Sequence, residues 1–186
     1  MDKKILNIVI TGGPCGGKTT SLDELAKMLR SDGYTVYICP ETATELISAG
    51  IKPFGDYKLN LRDFQEMVLD KQLSNESFVR KAASMCSNEK VAILYDRGIL
   101  DNRAYIDHAI FSEFLKDRKM SEADILTRYD VVIHLVTAAK GQEEYYTLLN
   151  NTARTETKEE ACKSDDKTIE AWIPFYNHKI VYNKID

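Results

Sequence analysis

The chain has 186 residues, enough for one ordinary domain with a full core. Its 44% hydrophobic and 29% charged content are those of a folded globular chain, which excludes a disordered or fibrous class. A formal net charge of −4 excludes a broadly basic nucleic-acid binder and a general attraction to anionic lipid.

The first apolar run, Ile5-Leu6-Asn7-Ile8-Val9-Ile10, reads as a buried parallel strand. It is too short for a signal-peptide core or a membrane span. Gly12-Gly13-Pro14-Cys15-Gly16-Gly17-Lys18-Thr19 follows and fills the phosphate-loop pattern of a Gly, four residues, then Gly-Lys-Ser/Thr. Glycines let successive N–H groups converge on phosphate oxygens with no Cβ in the way. Lys18 sets a cation on the outer phosphates, and the Thr19 hydroxyl suits Mg²⁺. Leu22, Leu25, Ala26, Met28 and Leu29 then recur at helical spacing, with Gly33 as the stop signal. This strand–loop–helix setting predicts phosphate contacts from Gly12 through Thr20.

Tyr34–Cys39 is the second strand, ended by Pro40, and residues 47–60 read as an irregular loop with Gly50, Pro53 and Gly55. Asn60 caps a long helix whose stripe is Leu61, Phe64, Met67, Val68 and Leu73. Val91–Tyr95 is the third strand, and short helices follow through Tyr105, Phe111 and Leu126. Val131–Val136 is the fourth strand and Ile180–Tyr182 the fifth. The polar stretch 138–157 stands where small-molecule kinases of this architecture keep a closing lid. The expectation is an α/β fold, a three-layer P-loop sandwich on a five-stranded parallel sheet, with ligands at the carboxyl ends of the strands. Residues 1–186 read as a single kinase-like domain, with room for an extension after the last strand. Cys15, Cys39, Cys86 and Cys162 form no C-x-x-C pair and no zinc spacing, which suits a reducing cytoplasm.

Chemistry gathers at the strand ends. Asp96-Arg97-Gly98 closes strand three: Asp96 can hold Mg²⁺ through water or accept a proton, and Arg97 can grip a phosphoryl group. Glu41, after strand two, is the rival general base, or else simply the start of the next helix. Arg154 in the lid region can spread over the nucleotide phosphates, and Tyr145 and Tyr146 can stack on a ring or pack. His134, inside an apolar strand, reads as a satisfied core histidine; His108 and His178 show no metal spacing. Asn183-Lys184-Ile185-Asp186 spell the guanine-reading string of regulatory GTPases, so the nucleotide is ATP or GTP.

Several strings resemble one family. They are Pro40-Glu41-Thr42-Ala43-Thr44, Tyr95-Asp96-Arg97-Gly98 with Asp101 and Ala104-Tyr105, and Thr137-Ala138-Ala139 with Tyr146. Asn151-Thr152-Ala153-Arg154-Thr155-Glu156, and Trp172 with Asn183, complete the set. Together they resemble an AAA-like P-loop family, essentially along the whole chain. One branch is the ribosylnicotinamide kinase domain of bacterial NAD salvage. The other is the TRPL translocation defect protein of fly photoreceptors, and the lid wording is more similar to this second branch. The resemblance implies phosphate and Mg²⁺ contacts from Gly12 to Thr20, with Asp96, Arg97 and Arg154 at the site and Glu41 and Asp101 facing an acceptor. In the second branch it also implies a GTP- and phosphoinositide-binding trafficking factor. That branch usually continues into a further domain, and its Ile-Asp-Asn ending is Val181-Tyr182-Asn183 here.

Two functions compete on the sequence. A kinase-like phosphotransferase would pass a γ-phosphoryl to a hydroxyl of a nucleoside-like acceptor, with Phe54, Tyr57, Phe64 and Gln65 as contacts. A nucleotide-dependent switch with a protein or lipid partner would need the same loop and no acceptor pocket.

Overall fold

Alternate residues of the central strands enter two separate cores, the signature of a sheet covered on both faces. On β1 (Ile5–Gly12), Val9 joins one core while Ile8 and Ile10 join the other. On β3 (Val91–Asp96), Val91, Ile93 and Tyr95 enter the first and Leu94 the second. The computed structural model describes residues 4–141 and 157–183. With β2 (Thr35–Cys39), β4 (Val131–Leu135) and β5 (His178–Val181), the sheet is five-stranded, entirely parallel, and ordered β2-β3-β1-β4-β5.

Helix α1 (Lys18–Ser31) covers one face through Leu22 and Ala26. The other face is covered by α3 (Leu61–Met85), α4 (His108–Asp117) and α6 (Lys158–Trp172), whose Leu69, Phe111, Phe114 and Trp172 fill the larger core. Two short helices, α2 (Thr42–Ser48) and α5 (Glu122–Leu126), and a 3-10 turn at Ile99–Ala104 complete the order. Leu46 of α2 packs on Phe64 and Val68 of α3 as a small third cluster. Asn60 caps α3 as expected, its side chain accepting from the Asp63 N–H. Residues 42–48, by contrast, are helical, so the irregular loop begins after them. The last strand starts two residues earlier than the apolar run suggests, at His178. Among the described residues no helix is long and apolar enough to cross a membrane.

The all-parallel order sets β1 between β3 and β4, so the chain leaving β1 emerges at the middle of the sheet's carboxyl edge, flanked by both neighbours. Ile10 pairs with Asp96 and Gly12 with Leu135, and the Arg97 N–H donates to the Ile10 carbonyl at 3.0 Å.

Trp172 closes the large core beneath this edge, fully buried against Tyr129 and Phe175. Gly98 lies close against its ring: a Cβ there would come within 2.5 Å of Cζ2 and 2.7 Å of Cη2. Its φ of −107° is open to any residue, so the constraint is steric. Gly98→Ala should therefore cost about 1–3 kcal/mol by overpacking. For a chain this long that lowers the melting temperature by roughly 2–12 °C. An unchanged melting temperature would mean that the indole yields freely.

Candidate functional site

The loop from Gly12 to Gly17 is shaped by what surrounds it. A Cβ on Gly12 would lie 2.0 Å from the Leu135 carbonyl oxygen, and one on Gly16 would lie 2.7 Å from the same atom. Cys15 and Gly17 both take positive φ, at 55° and 77°. Gly17 is the N-cap of α1, and the first turn carries no acidic residue, so nothing on the helix competes with an anion at its positive end. Gly12, Gly13 and Pro14 are buried, whereas Thr19 and Thr20 are exposed at the helix start. Lys18 is buried, and its Nζ donates to the carbonyls of Gly12 at 3.2 Å and Gly13 at 2.9 Å.

Asp96 and Arg97 stand beside the loop. Arg97 holds φ 72°, a conformation that costs a side-chain-bearing residue about 1–3 kcal/mol and that clusters at functional sites. Its Nε donates to Glu41 Oε1 at 2.6 Å, and its guanidinium lies 5.9 Å from the Tyr105 ring centroid. Glu41 is the N-cap residue of α2 but does not cap it with its side chain; that carboxylate takes Arg97 and, through Oε2, the Thr44 hydroxyl at 2.7 Å. Burial would raise its pKa, yet Arg97 and Thr44 overcome this and hold it down at about 2. Asp96 goes the other way: burial, with Glu41 adding to it, pushes its carboxyl up to about 6. Opposed shifts in neighbouring carboxylates are what divided roles in one site require.

Two cavities lie at this edge. One of about 280 Å³, between α2, α3 and the 99–104 turn, is lined by Glu41, Phe64, Gln65, Arg97, Asp101 and Tyr105 among others. The other, about 510 Å³, is lined by Thr19, Pro40, Glu41, Thr44, Glu45, Ser48 and Asp96. Glu41 is the residue that the two linings share. Thr42 Oγ1, Asp96 Oδ1 and Arg97 Nη1 are buried and lack a hydrogen-bond partner among the described residues, and all three belong to lining residues. An unpartnered carboxylate oxygen on a residue that lines one cavity with Thr19 fits Mg²⁺, which takes one or two carboxylates and keeps several waters.

Phe64 and Gln65 both line the smaller cavity. Asp101 lines it too, but both its oxygens are engaged: Oδ1 accepts from the Thr11 hydroxyl and Oδ2 from the Gly98 N–H at 2.6 Å. Tyr57 is fully exposed and Phe54 43% exposed, and neither belongs to this lining. The Asn183 amide donates to the carbonyls of Thr137 at 2.9 Å and Lys140 at 2.8 Å, tethering the chain after β5 to the chain after β4. Arg154, Tyr145, Tyr146 and Lys184 to Asp186 lie outside the described residues. A groove of about 620 Å³ lined by Arg62, Arg103 and Lys167 touches none of the loop, and both its arginines pair with glutamates.

The sequence reading missed Asp165 of α6. It is fully buried, with Oδ1 taking the N–H of Gly13 at 2.8 Å and of Thr137 at 3.2 Å. His134 Nε2 lies 2.9 Å from the same oxygen, and Lys140 Nζ donates to Oδ2 at 2.8 Å. His134 is therefore a core histidine, as its strand suggests, but only half satisfied: Asp165 meets its Nε2, while its Nδ1 is buried with no hydrogen-bond partner among the described residues. Thr137, noticed for its resemblance rather than its chemistry, donates to the Pro14 carbonyl at 2.5 Å.

A family model described as an AAA domain matches residues 7–186. Among solved structures the chain is similar to deoxyadenosine kinase from M. mycoides with bound dATP, at 16% identity and a TM-score of 0.57, over 97% of this chain and 91% of that one. It is also similar to thymidylate kinase from Ehrlichia chaffeensis, at 15% identity and a TM-score of 0.62, over 98% and 89%. These likenesses show a nucleotide-kinase-like P-loop fold. No curated protein matches the chain.

Burial would raise Asp165, but His134, Lys140 and the Gly13 N–H bring it down to about 2, below the ordinary 3.8. A depressed carboxylate adds stability that is present above its unfolded value and is lost as pH falls through its folded one. Melting temperature measured from about pH 5 down to about pH 2 should therefore fall steeply in the wild type. Asp165→Asn should start lower and fall less. An equally steep acid limb in the variant would place the lability in other carboxylates.

Proposed function

The chain belongs to the AAA domain family, and from that premise we propose a P-loop phosphotransferase that uses ATP or GTP and phosphorylates a hydroxyl of a nucleoside-like acceptor. One observation carries this reading: Glu41, paired with Arg97, lines both the cavity that reaches Thr19 and Asp96 and a second cavity of about 280 Å³. A nucleotide switch needs the loop but has no use for the second cavity. That the fold neighbours are named deoxyadenosine kinase and thymidylate kinase agrees with the reading.

In this mechanism the triphosphate lies on the amides around Gly16 to Thr20, with Lys18 on its outer oxygens. Mg²⁺ held by Thr19 and Asp96 would neutralise phosphate charge when bound. The acceptor enters beside Phe64 and Gln65; the ring offers an apolar wall, and the Gln65 amide makes no hydrogen bond among the described residues. Its hydroxyl meets Glu41. The bond from the γ-phosphorus to its bridging oxygen breaks, a bond to the acceptor oxygen forms, and the hydroxyl proton passes to Glu41 as the diphosphate leaves. A base with a pKa near 2 serves because phosphoryl transfer is loose, so the proton moves late. Arg97, whose Nη1 has no hydrogen-bond partner among the described residues and lies 4.0 Å from Asp101 Oδ1, is proposed to turn to the transferring group, with Arg154 as a further cation.

Binding is tested first. Nucleotide at a hundredfold its dissociation constant stabilises by about 2.7 kcal/mol. Here that is a melting shift of roughly 5–11 °C. ATP, GTP and their diphosphates with Mg²⁺ should differ in that shift, and the larger one names the base. Lys18→Ala should abolish most of it; a shift that survives intact would remove Lys18 from the site.

Transfer is tested on a panel of nucleosides and other ribosylated acceptors. Turnover on the order of 1–100 s⁻¹ is expected with one of them, against about 10⁻⁴ s⁻¹ for unassisted switch hydrolysis. Glu41→Gln should lower kcat by roughly 10²–10⁴-fold and leave nucleotide affinity nearly unchanged. If no acceptor is phosphorylated faster than water, the transferase reading fails.

A further inference from the structure

The first three residues of the loop have main-chain groups tied by side chains. The Gly13 N–H goes to Asp165 at 2.8 Å, and the Gly12 and Gly13 carbonyls take Lys18 Nζ. The Pro14 carbonyl takes the Thr137 hydroxyl. The Gly13 amide is thus directed away from any phosphate, toward a carboxylate behind the loop. A Cβ on Gly13 would come 2.7 Å from Asp165 Oδ1 and 2.9 Å from Thr137 Cβ, so the approach is as close as the atoms permit.

A carboxylate here needs a reason. It is fully buried and lies behind a loop built for anions, so on charge alone it opposes the ligand. Adhesion of α6 to the sheet would be served by an apolar side chain of similar volume, at no desolvation cost. What the carboxylate adds is direction. One oxygen fixes two peptide N–H groups, of Gly13 and Thr137, while Lys140 and the His134 ring offset its charge.

We propose that Asp165 is a positioning residue for nucleotide binding: acting from α6, it fixes the Gly13 peptide and so holds the loop's remaining amides in a phosphate-binding array. The inference rests on the nucleotide-binding reading above. It also makes α6 part of the loop's support: the chain enters that helix after residue 157, and Lys140, after β4, is tied to Asp165 and Asp166.

The test uses the full chain as wild type, Asp165→Ala and Asp165→Asn. Amide exchange at Gly13 is read by NMR without nucleotide, and ATP and GTP affinities with Mg²⁺ are read by calorimetry. In Asp165→Ala, Gly13 exchange should quicken and triphosphate affinity fall by about tenfold or more, the size expected for losing a bond to a charged acceptor. Asp165→Asn keeps an oxygen for the Gly13 N–H and should recover most of both, although its melting temperature falls as well. A merely structural role would make both quantities follow melting temperature instead. Equal affinity in wild type and Asp165→Ala, or a Gly13 amide that exchanges equally fast in both, overturns the inference and leaves the functional reading standing. Absence of triphosphate binding by the wild type overturns the functional reading itself. If Asp165→Ala does not fold, slow Gly13 exchange in the wild type and retained affinity in Asp165→Asn support the inference; a wild-type Gly13 amide as fast as an open loop overturns it.

Discussion

Where β1 and β4 end, their main chains come so near that the Leu135 carbonyl occupies the place of a Cβ at both Gly12 and Gly16. The loop is in effect wrapped around one carbonyl oxygen. Its curvature is therefore set by a neighbouring strand as well as by its own glycines, and the sheet order with β4 directly beside β1 is what supplies that oxygen. The other features of the edge depend on this approach. It brings Thr137, two residues past Leu135, within reach of Pro14, and it gives Asp165 a Gly13 amide to hold. On the far side of β1, the pairing of Ile10 with Asp96 fixes where the second set of functional side chains emerges. A single strand thus carries both halves of the site, with the loop on its own axis and the acids to one side.

The two acids at this edge are separated by their surroundings rather than by their chemistry. Glu41 lies against an arginine and a threonine hydroxyl, which keep it ionised far below neutral pH. Asp96 is buried near that same negative charge and has an oxygen with no hydrogen-bond partner. Lys18 and Arg97 only partly offset this, and a divalent ion would favour its charged form further. Glu41 already has a counter-cation in Arg97 and gains most from a neutral hydroxyl. The strained backbone at Arg97 belongs to the same arrangement. A positive φ turns the chain sharply after β3 and lets the guanidinium reach back to Glu41, while the Arg97 carbonyl takes the Gln72 amide.

Much of the fold could be read from the sequence because its signals are local. The phosphate loop is a statement about backbone geometry, and glycine is legible wherever backbone geometry is the requirement. Asn60 announced α3 in the same way. The strands of the large core were apolar runs bounded by turn residues. What escaped reading was non-local. Helix α6 has a capping box from Thr157 to Glu160 and buried Ala161, Asp165, Thr168, Ala171 and Trp172 at helical spacing. Two of those five are polar, however, so the stripe did not stand out as a buried face. Asp165 carries no local mark at all: its partners lie 152, 31 and 28 residues away, at Gly13, His134 and Thr137. His134 gave the one available hint, since a histidine inside a buried strand implies a polar partner that must come from elsewhere. The acceptor-side cavity, formed where α2, α3 and the 99–104 turn converge, was legible only in part. Phe64 and Gln65 line it, but Tyr57, on the loop between α2 and α3, points to solvent.

The second cavity bears most on function. A phosphate loop is common to storage, switching and transfer, and it cannot decide among them. Transfer alone requires a second concave site within reach of the outer phosphate, and a residue exposed to both. Had Glu41 served only to begin α2, its carboxylate would have turned to the helix amides, where an acid is favoured by the dipole. Instead α2 begins without a side-chain cap and the carboxylate turns to Arg97. Leaving a cap unmade forgoes about 1 kcal/mol of helix stability. On an edge where Arg97 also holds an unfavourable backbone angle, two local preferences are set aside around one ion pair. Such departures cluster where function, rather than folding, sets the geometry. That convergence on a residue that lines two cavities is the physical reason for reading the edge as a place of transfer.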